Sequence, residues 1–265
     1  MKKLIIANWK MNPQTPRQAL RLAGMVARGI KGVKNVEVVL APPFVFLPIL
    51  SHLSPFMSRF SAKGGSAYGG KLAAQDIFYE KAGAFTGEIS APQLKTLGVK
   101  YVIIGHSERR ALGETNEMTG KKILAALALN IKPVLCVGEK EKDADEVFPR
   151  IIREELREGL KNIKKSLLKN LIIAYEPIWA ISGFRSSRAD TSQNVYEMSI
   201  LIKRELYRML GKNVASLIPI LYGGSVDDKN AADFIKGGAV DGLLVGGASL
   251  NVKKFVRIVK EAAKL

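Results

Sequence analysis

The sequence predicts a single-domain α/β protein folded as a closed (β/α)8 barrel, with eight parallel strands ringed by outer helices. Short apolar or β-branched runs recur along the whole chain: Leu4 to Ala7, Val36 to Leu40, Leu72 to Ala74, Tyr101 to Ile104, Val134 to Val137, Leu171 to Tyr175, Ile218 to Leu221 and Gly242 to Val245. These runs are apolar throughout instead of alternating, which marks strands buried on both faces, as in parallel sheets. Longer segments with helical periodicity lie between them, as at Arg17 to Arg28, Met118 to Leu129, Val147 to Lys165 and Gln193 to Leu210. Repeated strand–helix alternation implies right-handed βαβ units, and eight of them in about 250 residues is the arithmetic of a closed barrel. An open doubly wound sheet is the runner-up. It would need a glycine-rich turn after the first strand, where this chain has Asn8-Trp9-Lys10.

No linker interrupts the pattern over residues 1–265, and the Gly/Ser cluster from Ser61 to Gly70 reads as a connecting loop before the third strand. With 47% hydrophobic residues the chain can fill a large core. Cys136 is the only cysteine, so no internal disulfide forms, and its apolar strand makes it a core residue. The apolar run after Met1-Lys2-Lys3 is too short for a secretory segment, and no apolar stretch approaches the roughly 20 residues of a membrane span. The expectation is a cytoplasmic protein without membrane contact. A formal charge of +17 raises nucleic-acid binding as a function. The lysines and arginines are scattered over helical segments such as Lys161 to Lys165, Lys203-Arg204 and Lys253-Lys254, without a long basic stripe interleaved with aromatics. That pattern reads as a solvated basic surface, with a field that draws in an anionic substrate as the second reading. Specific nucleic-acid binding is not expected.

Residues just past the strands of such a barrel converge on one face, where active sites lie. Here they form an unusual set: Asn8 and Lys10 after the first strand, His106, Ser107 and Glu108 after the fourth, and Glu176 after the sixth. Gly223-Gly224-Ser225 follows the seventh and Gly246-Gly247-Ala248-Ser249 the eighth. Taken singly, each has a plain explanation: a structural histidine, a solvated lysine, a glycine turn. Together they divide into two kinds of chemistry. The glycine turns expose backbone N–H groups as a cradle for a phosphate, with the Ser225 hydroxyl as a further donor. One cation (Lys10), one imidazole (His106) and one carboxylate (Glu176) suit proton abstraction beside a carbonyl. Glu176 takes the proton while His106 and Lys10 stabilise the developing enediolate oxygen. Pro177 stops strand pairing at once and stiffens the departing loop, and Trp179 anchors it, as in a hinged lid over the base. No Asp or His pair has metal-ligand spacing, and there is no dinucleotide fingerprint or P-loop, so no metal or other cofactor is expected.

The segments Asn8-Trp9-Lys10-Met11-Asn12, Ile104-Gly105-His106-Ser107-Glu108-Arg109-Arg110 and Ala174-Tyr175-Glu176-Pro177-Ile178-Trp179-Ala180-Ile181 resemble three signature segments of the triosephosphate isomerase family. Leu221-Tyr222-Gly223-Gly224-Ser225-Val226 and Leu244-Val245-Gly246-Gly247-Ala248-Ser249-Leu250 resemble its two phosphate-binding turns. The matches follow the family's order from residue 8 to residue 250. The resemblance implies the same TIM barrel and a cofactor-independent interconversion of dihydroxyacetone phosphate and D-glyceraldehyde 3-phosphate. It implies Glu176 as base, His106 as neutral electrophile and Lys10 as electrostatic partner of the substrate oxygen. Asn8 helps place Lys10, and Glu108 supports it. A neutral histidine is a trait of that family, not a reading of these residues. The resemblance also implies that the N–H of Ser182 binds phosphate and that Ile181 and Leu244 close over Glu176. The stretch from Asp76 to Glu88 is similar to a loop the family inserts into a neighbouring subunit, with Thr86 approaching the partner's site, so a homodimer is implied.

Two departures stand out. After the lid stem Pro177, Ile178, Trp179, Ala180 and Ile181, the chain continues Ser182-Gly183-Phe184-Arg185-Ser186-Ser187, with Phe184 where the family has a small residue. Gly183 can absorb the turn one position earlier. The loop Ala111-Leu112-Gly113-Glu114 is shorter than the family's usual one. Two alternatives stay open. One is another phosphate-binding barrel enzyme, which would need metal ligands or paired carboxylates at the strand ends. The other is a basic scaffold or nucleic-acid-binding protein with a defective lid.

Overall fold

The computed structural model describes residues 2–51, 70–141, 148–181 and 190–265. Eight parallel strands close into a barrel in sequence order: β1 (Lys3–Asn8), β2 (Val36–Ala41), β3 (Lys71–Ala74), β4 (Tyr101–Ile104), β5 (Lys132–Val137), β6 (Ile172–Tyr175), β7 (Ile220–Tyr222) and β8 (Gly242–Val245). The ring closes where β8 pairs with β1, with Leu4 opposite Gly242. The helices around it are α1 (Pro16–Gly29), α2 (Leu47–Ser51), α3 (Ala91–Thr96), α4 (Ser107–Ala111), α5 (Asn116–Ala128), α6 (Arg150–Leu160), α7 (Ser192–Leu210), α8 (Lys212–Ala215), α9 (Ala231–Gly237) and α10 (Val252–Ala262). Among the described residues, no helix is long and apolar enough to cross a membrane.

The uniformly apolar strands have two destinations. Leu4 and Ile6 of β1 join Val39, Ile103, Cys136, Ala174 and Leu244 in an apolar cluster that fills the barrel. Ile5 and Ala7 belong instead to the larger cluster between strands and helices. Each fully buried aliphatic side chain contributes roughly 1.5–3 kcal/mol to stability. Side chains alternate along a strand, so two residues past the apolar run the inward positions are Asn8 after Ile6 and Glu176 after Ala174. The strand period itself thus aims these polar groups into the barrel mouth.

Hydrogen-bonding caps fix where the long helices start. The side chains of Thr15, Thr115, Thr191 and Asn251 accept from the N–H groups of Gln18, Met118, Asn194 and Lys254. Each satisfies a first-turn donor that has no partner within the helix. Some bounds differ from the sequence pattern. β7 begins at Ile220, not Ile218, because Pro219 has no N–H for the ladder and Ile220 donates to the Asp241 side chain at 2.9 Å. Leu171 stays out of β6 because its N–H closes a tight turn on Leu168 at 3.0 Å. The helix expected from Val147 to Lys165 is the shorter α6, which starts just after Pro149 without a side-chain cap. Beyond Leu160 the backbone tightens, with Ile163 N–H bonding Leu160 O at 3.3 Å. Val147 and the loop from Ser61 to Gly70, apart from Gly70, lie outside the described residues.

Candidate active site

Glu176 follows β6 directly, and the ladder still holds it: its N–H donates to Val137 O at 2.8 Å. Pro177 then ends the pairing, and Ile178–Ala180 form a single tight turn. Only 2% of Glu176 is exposed. Two glycines make room for it. A Cβ on Gly138 would lie 1.8 Å from Glu176 O, and one on Gly223 would lie 2.7 Å from its Cγ. Glu176 Oε1 is 3.4 Å from His106 Nε2, and Oε2 is 3.4 Å from the Ser107 N–H. Below it in the barrel, Cys136 is buried. Burial first, and then the Glu176 carboxylate, push the Cys136 thiol well above its ordinary value, so it stays protonated.

His106 reaches this carboxylate through a pinned turn. Gly105 takes φ +73° after β4, a left-handed conformation that a side chain would strain. Its N–H donates to Glu114 Oε2 at 3.1 Å, and its carbonyl accepts from Arg110 Nε at 2.7 Å. Glu114 is held in turn by the buried Lys122 ammonium at 2.6 Å, which also bonds Asp76 at 2.7 Å. His106 caps α4: its Nδ1 accepts the Glu108 N–H at 3.2 Å. A ring nitrogen that accepts has its lone pair free. Assigned from that bond, the imidazole is neutral, with its proton on Nε2 toward Glu176.

Lys10 has φ +52°, uncommon for a residue with a side chain. Its neighbours hold it there. Its N–H donates to Asn8 Oδ1 at 3.1 Å, and its carbonyl accepts from Gln75 Nε2 at 2.8 Å. Gln75 also donates to Ala41 O at 2.8 Å, tying Lys10 to the end of β2. Lys10 Nζ lies 2.6 Å from Glu108 Oε1. Both side chains of this pair are partly solvated, so it adds little to stability and chiefly orients the ammonium.

The turn after β8 runs through Gly246 into the tight turn Gly247–Leu250. A Cβ on Gly246 would lie 3.5 Å from Lys10 Cε, and Gly247 faces open space. The Ser225 hydroxyl donates to Ala180 O at 2.6 Å, joining the turn after β7 to the lid stem. The stem is also tied to Glu139: Trp179 Nε1 and the Tyr175 hydroxyl donate to its Oε1 at 2.7 and 2.9 Å, and Ile178 N–H donates to its carbonyl at 2.9 Å. The lid positions Ser182, Gly183 and Phe184 lie outside the described residues.

One cavity of about 90 Å³ brings together Asn8, Lys10, His106, Glu176, Ser225 and the Gly246–Gly247 turn. Ile181 and Leu244 also line it. Glu108 lies on an adjoining cavity of about 240 Å³ instead, and Thr86 lines neither. Sequence reasoning did not single out Gly138 and Gln75. Their signals were present: Gly138 follows β5 two residues after the inward Cys136, and Gln75 is the first polar residue past β3. Among the described residues, no three His, Cys, Asp or Glu side chains are grouped to hold a metal ion.

The family model described as Triosephosphate isomerase matches residues 3–262. Curated proteins of that name are similar over nearly the full length. That of Thermoanaerobacter pseudethanolicus is 40% identical over 98% of this chain and 99% of the relative. That of Acetivibrio thermocellus is 40% identical over 98% of each. That of Dehalococcoides mccartyi is 41% identical over 99% of this chain and 98% of the relative. With a family match that begins in β1 and ends in α10, the chain belongs to the triosephosphate isomerase family.

Proposed function

We propose that Glu176, His106 and Lys10 perform the reaction of this family, the interconversion of dihydroxyacetone phosphate and D-glyceraldehyde 3-phosphate. The observation that carries the assignment is the 3.4 Å approach of His106 Nε2 to Glu176 Oε1. It occurs in the cavity that also holds Lys10 and the Gly246–Gly247 turn.

The Glu176 carboxylate removes a proton from C1 of the ketose, and the freed electron pair forms the C1–C2 double bond. Charge develops on the carbonyl oxygen, where the His106 Nε2–H and the Lys10 ammonium stabilise it. His106 passes a proton between the two enediol oxygens, donating at one and accepting at the other, as a neutral imidazole can. Glu176 then returns its proton to C2, leaving the aldehyde at C1. C1 is oxidised by as much as C2 is reduced, so the balance needs no external oxidant or reductant. A neutral histidine electrophile is a known trait of this family, and the Glu108 N–H bond to Nδ1 supports the same state here. The N–H groups of Gly246, Gly247 and Ser182 hold the phosphate, and the Ser225 hydroxyl joins them by turning from Ala180 O, to which it donates at 2.6 Å. The lid from Pro177 to Phe184 closes over the bound triose and excludes water. A coupled assay with glyceraldehyde 3-phosphate tests this reading, and absence of turnover overturns it.

The reading includes a homodimer in the cytoplasm, serving glycolysis and gluconeogenesis. The 240 Å³ cavity, lined by Lys10, Gln75, Phe78, Glu108 and Arg109, suits a loop from a second copy. Met11 and Val45 are apolar yet 84% and 75% exposed, consistent with a surface that a partner covers. The loop that carries Thr86 is braced by Phe78 and Phe85, whose ring centres are 4.8 Å apart, and Thr86 is the residue assigned to the partner's site. Light scattering giving a monomer mass contradicts this assembly.

A further inference from the structure

The buried groups behind the cavity include an ion pair that touches none of the reacting positions. Arg110 lies on α4 and Glu155 on α6, with Arg110 Nε 3.3 Å from Glu155 Oε1. Glu155 has a side-chain exposure of 4% and Arg110 of 16%. A pair taken this far out of water gains little net stability, because lost hydration offsets the attraction. Its other bonds indicate a different use.

Arg110 Nε donates to Gly105 O at 2.7 Å, the carbonyl just before His106. Arg110 Nη2 donates to Cys136 O at 3.4 Å, and Nη1 to Asn116 Oδ1 at 2.6 Å. Glu155 Oε2 accepts the Gly138 N–H at 3.0 Å. Gly138 packs so closely on the Glu176 backbone that a Cβ there would lie 1.8 Å from Glu176 O. The pair therefore joins the ends of β4 and β5 and, through Gly138, bears on the end of β6. Those are the strand ends that deliver His106 and Glu176.

We propose that the Arg110–Glu155 pair is a positioning element that sets the separation and orientation of His106 and Glu176. The proposal rests on the reading of Glu176 as base and His106 as electrophile. It adds that the catalytic spacing is fixed from behind, through the backbone of Gly105 and Gly138. The charged groups facing Glu155 are Arg110 from α4, Glu176 from the end of β6 and Glu139 from the end of β5. Burial is the largest influence on Glu155 and raises it from 4.5 to about 7, against the pull of Arg110 and the Gly138 N–H. The pair thus loses its negative partner as the pH falls through neutrality.

The test is steady-state kinetics of Glu155→Gln and Glu155→Ala in the full chain, with Glu176→Gln as control. Glu155→Gln keeps an acceptor for the Gly138 N–H and most of the shape. It is expected to lower kcat several-fold with KM unchanged, and to remove an acidic limb near pH 7 from the kcat profile. Glu155→Ala, which loses the acceptor as well, is expected to lower kcat by about 100-fold, the effect of a displacement of about 1 Å at the reacting groups. A merely structural pair would lower Tm while leaving kcat per folded molecule and its pH profile as in the wild type. That result overturns the proposal. If Glu155→Ala does not fold, the Glu155→Gln profile decides alone. Full activity in Glu176→Gln, which has no carboxylate, would instead count against the base assignment, so the two failures are distinguishable.

Discussion

His106 Nε2 and Glu176 Oε1 stand 3.4 Å apart although β5 separates the strands that deliver them. The intervening strand brings no side chain between them, because the residue after its last position is Gly138. The contact therefore depends on a residue with no side chain at all.

Gly138→Ala tests that dependence. The new methyl group would lie 1.8 Å from Glu176 O, a backbone atom that cannot swing away, so the end of β6 has to shift. Overpacking of this kind costs about 1–3 kcal/mol, and a shift of about 1 Å at the base lowers kcat about 100-fold. Wild-type kcat with unchanged Tm in this variant contradicts the close approach.

Cys136 should be inert while the protein is folded. It is the single cysteine, it is 1% exposed, and burial beside the Glu176 carboxylate keeps its thiol protonated. Native protein at pH 8 is expected to take up no thiol reagent over hours, and one equivalent after denaturation. Prompt native labelling would show that the carboxylate's floor is open.

The Glu155 carboxyl gives stability a pH dependence of known sign. It rises from 4.5 to about 7 on folding, so between those values the folded state holds the proton that the unfolded state has released. Stability then falls as pH rises from 4.5 to about 7 and is flat above, by roughly 3 kcal/mol for this group. Glu139, raised by burial, acts in the same direction. Denaturant titrations between pH 4.5 and 8 are expected to show a shallower decline in Glu155→Gln than in the wild type. Equal slopes contradict the assignment.

The charge of +17 makes capture of a phosphorylated substrate sensitive to salt. Raising ionic strength from 0.01 to 0.15 M shortens the screening length from about 30 Å to about 8 Å. We expect kcat/KM to fall several-fold while kcat holds. An unchanged kcat/KM means the surface charge plays no part in encounter.

Much of this was legible in the chain. The uniformly apolar runs located all eight strands, because strands buried on both faces leave no room for polar residues. The convergence of Asn8, Lys10, His106 and Glu176 followed from the strand-end rule alone. Gly138 and the Arg110–Glu155 pair were not legible, for a physical reason. A glycine's close approach and a pair formed across α4 and α6 depend on the relative placement of neighbouring strands and helices, which no local pattern encodes. The bounds of β7 and α6 slipped because Pro219 has no N–H for the ladder and the backbone tightens beyond Leu160, where the hydropathy pattern continues.

The proposed reaction stands or falls with Glu176 as its base. Its most direct test is the coupled isomerase assay on Glu176→Asp and Glu176→Gln, with circular dichroism confirming that both variants fold. Glu176→Asp, with the carboxylate drawn back by one methylene, is expected to lose orders of magnitude in kcat, and Glu176→Gln to be inactive. Wild-type kcat in Glu176→Gln would contradict it.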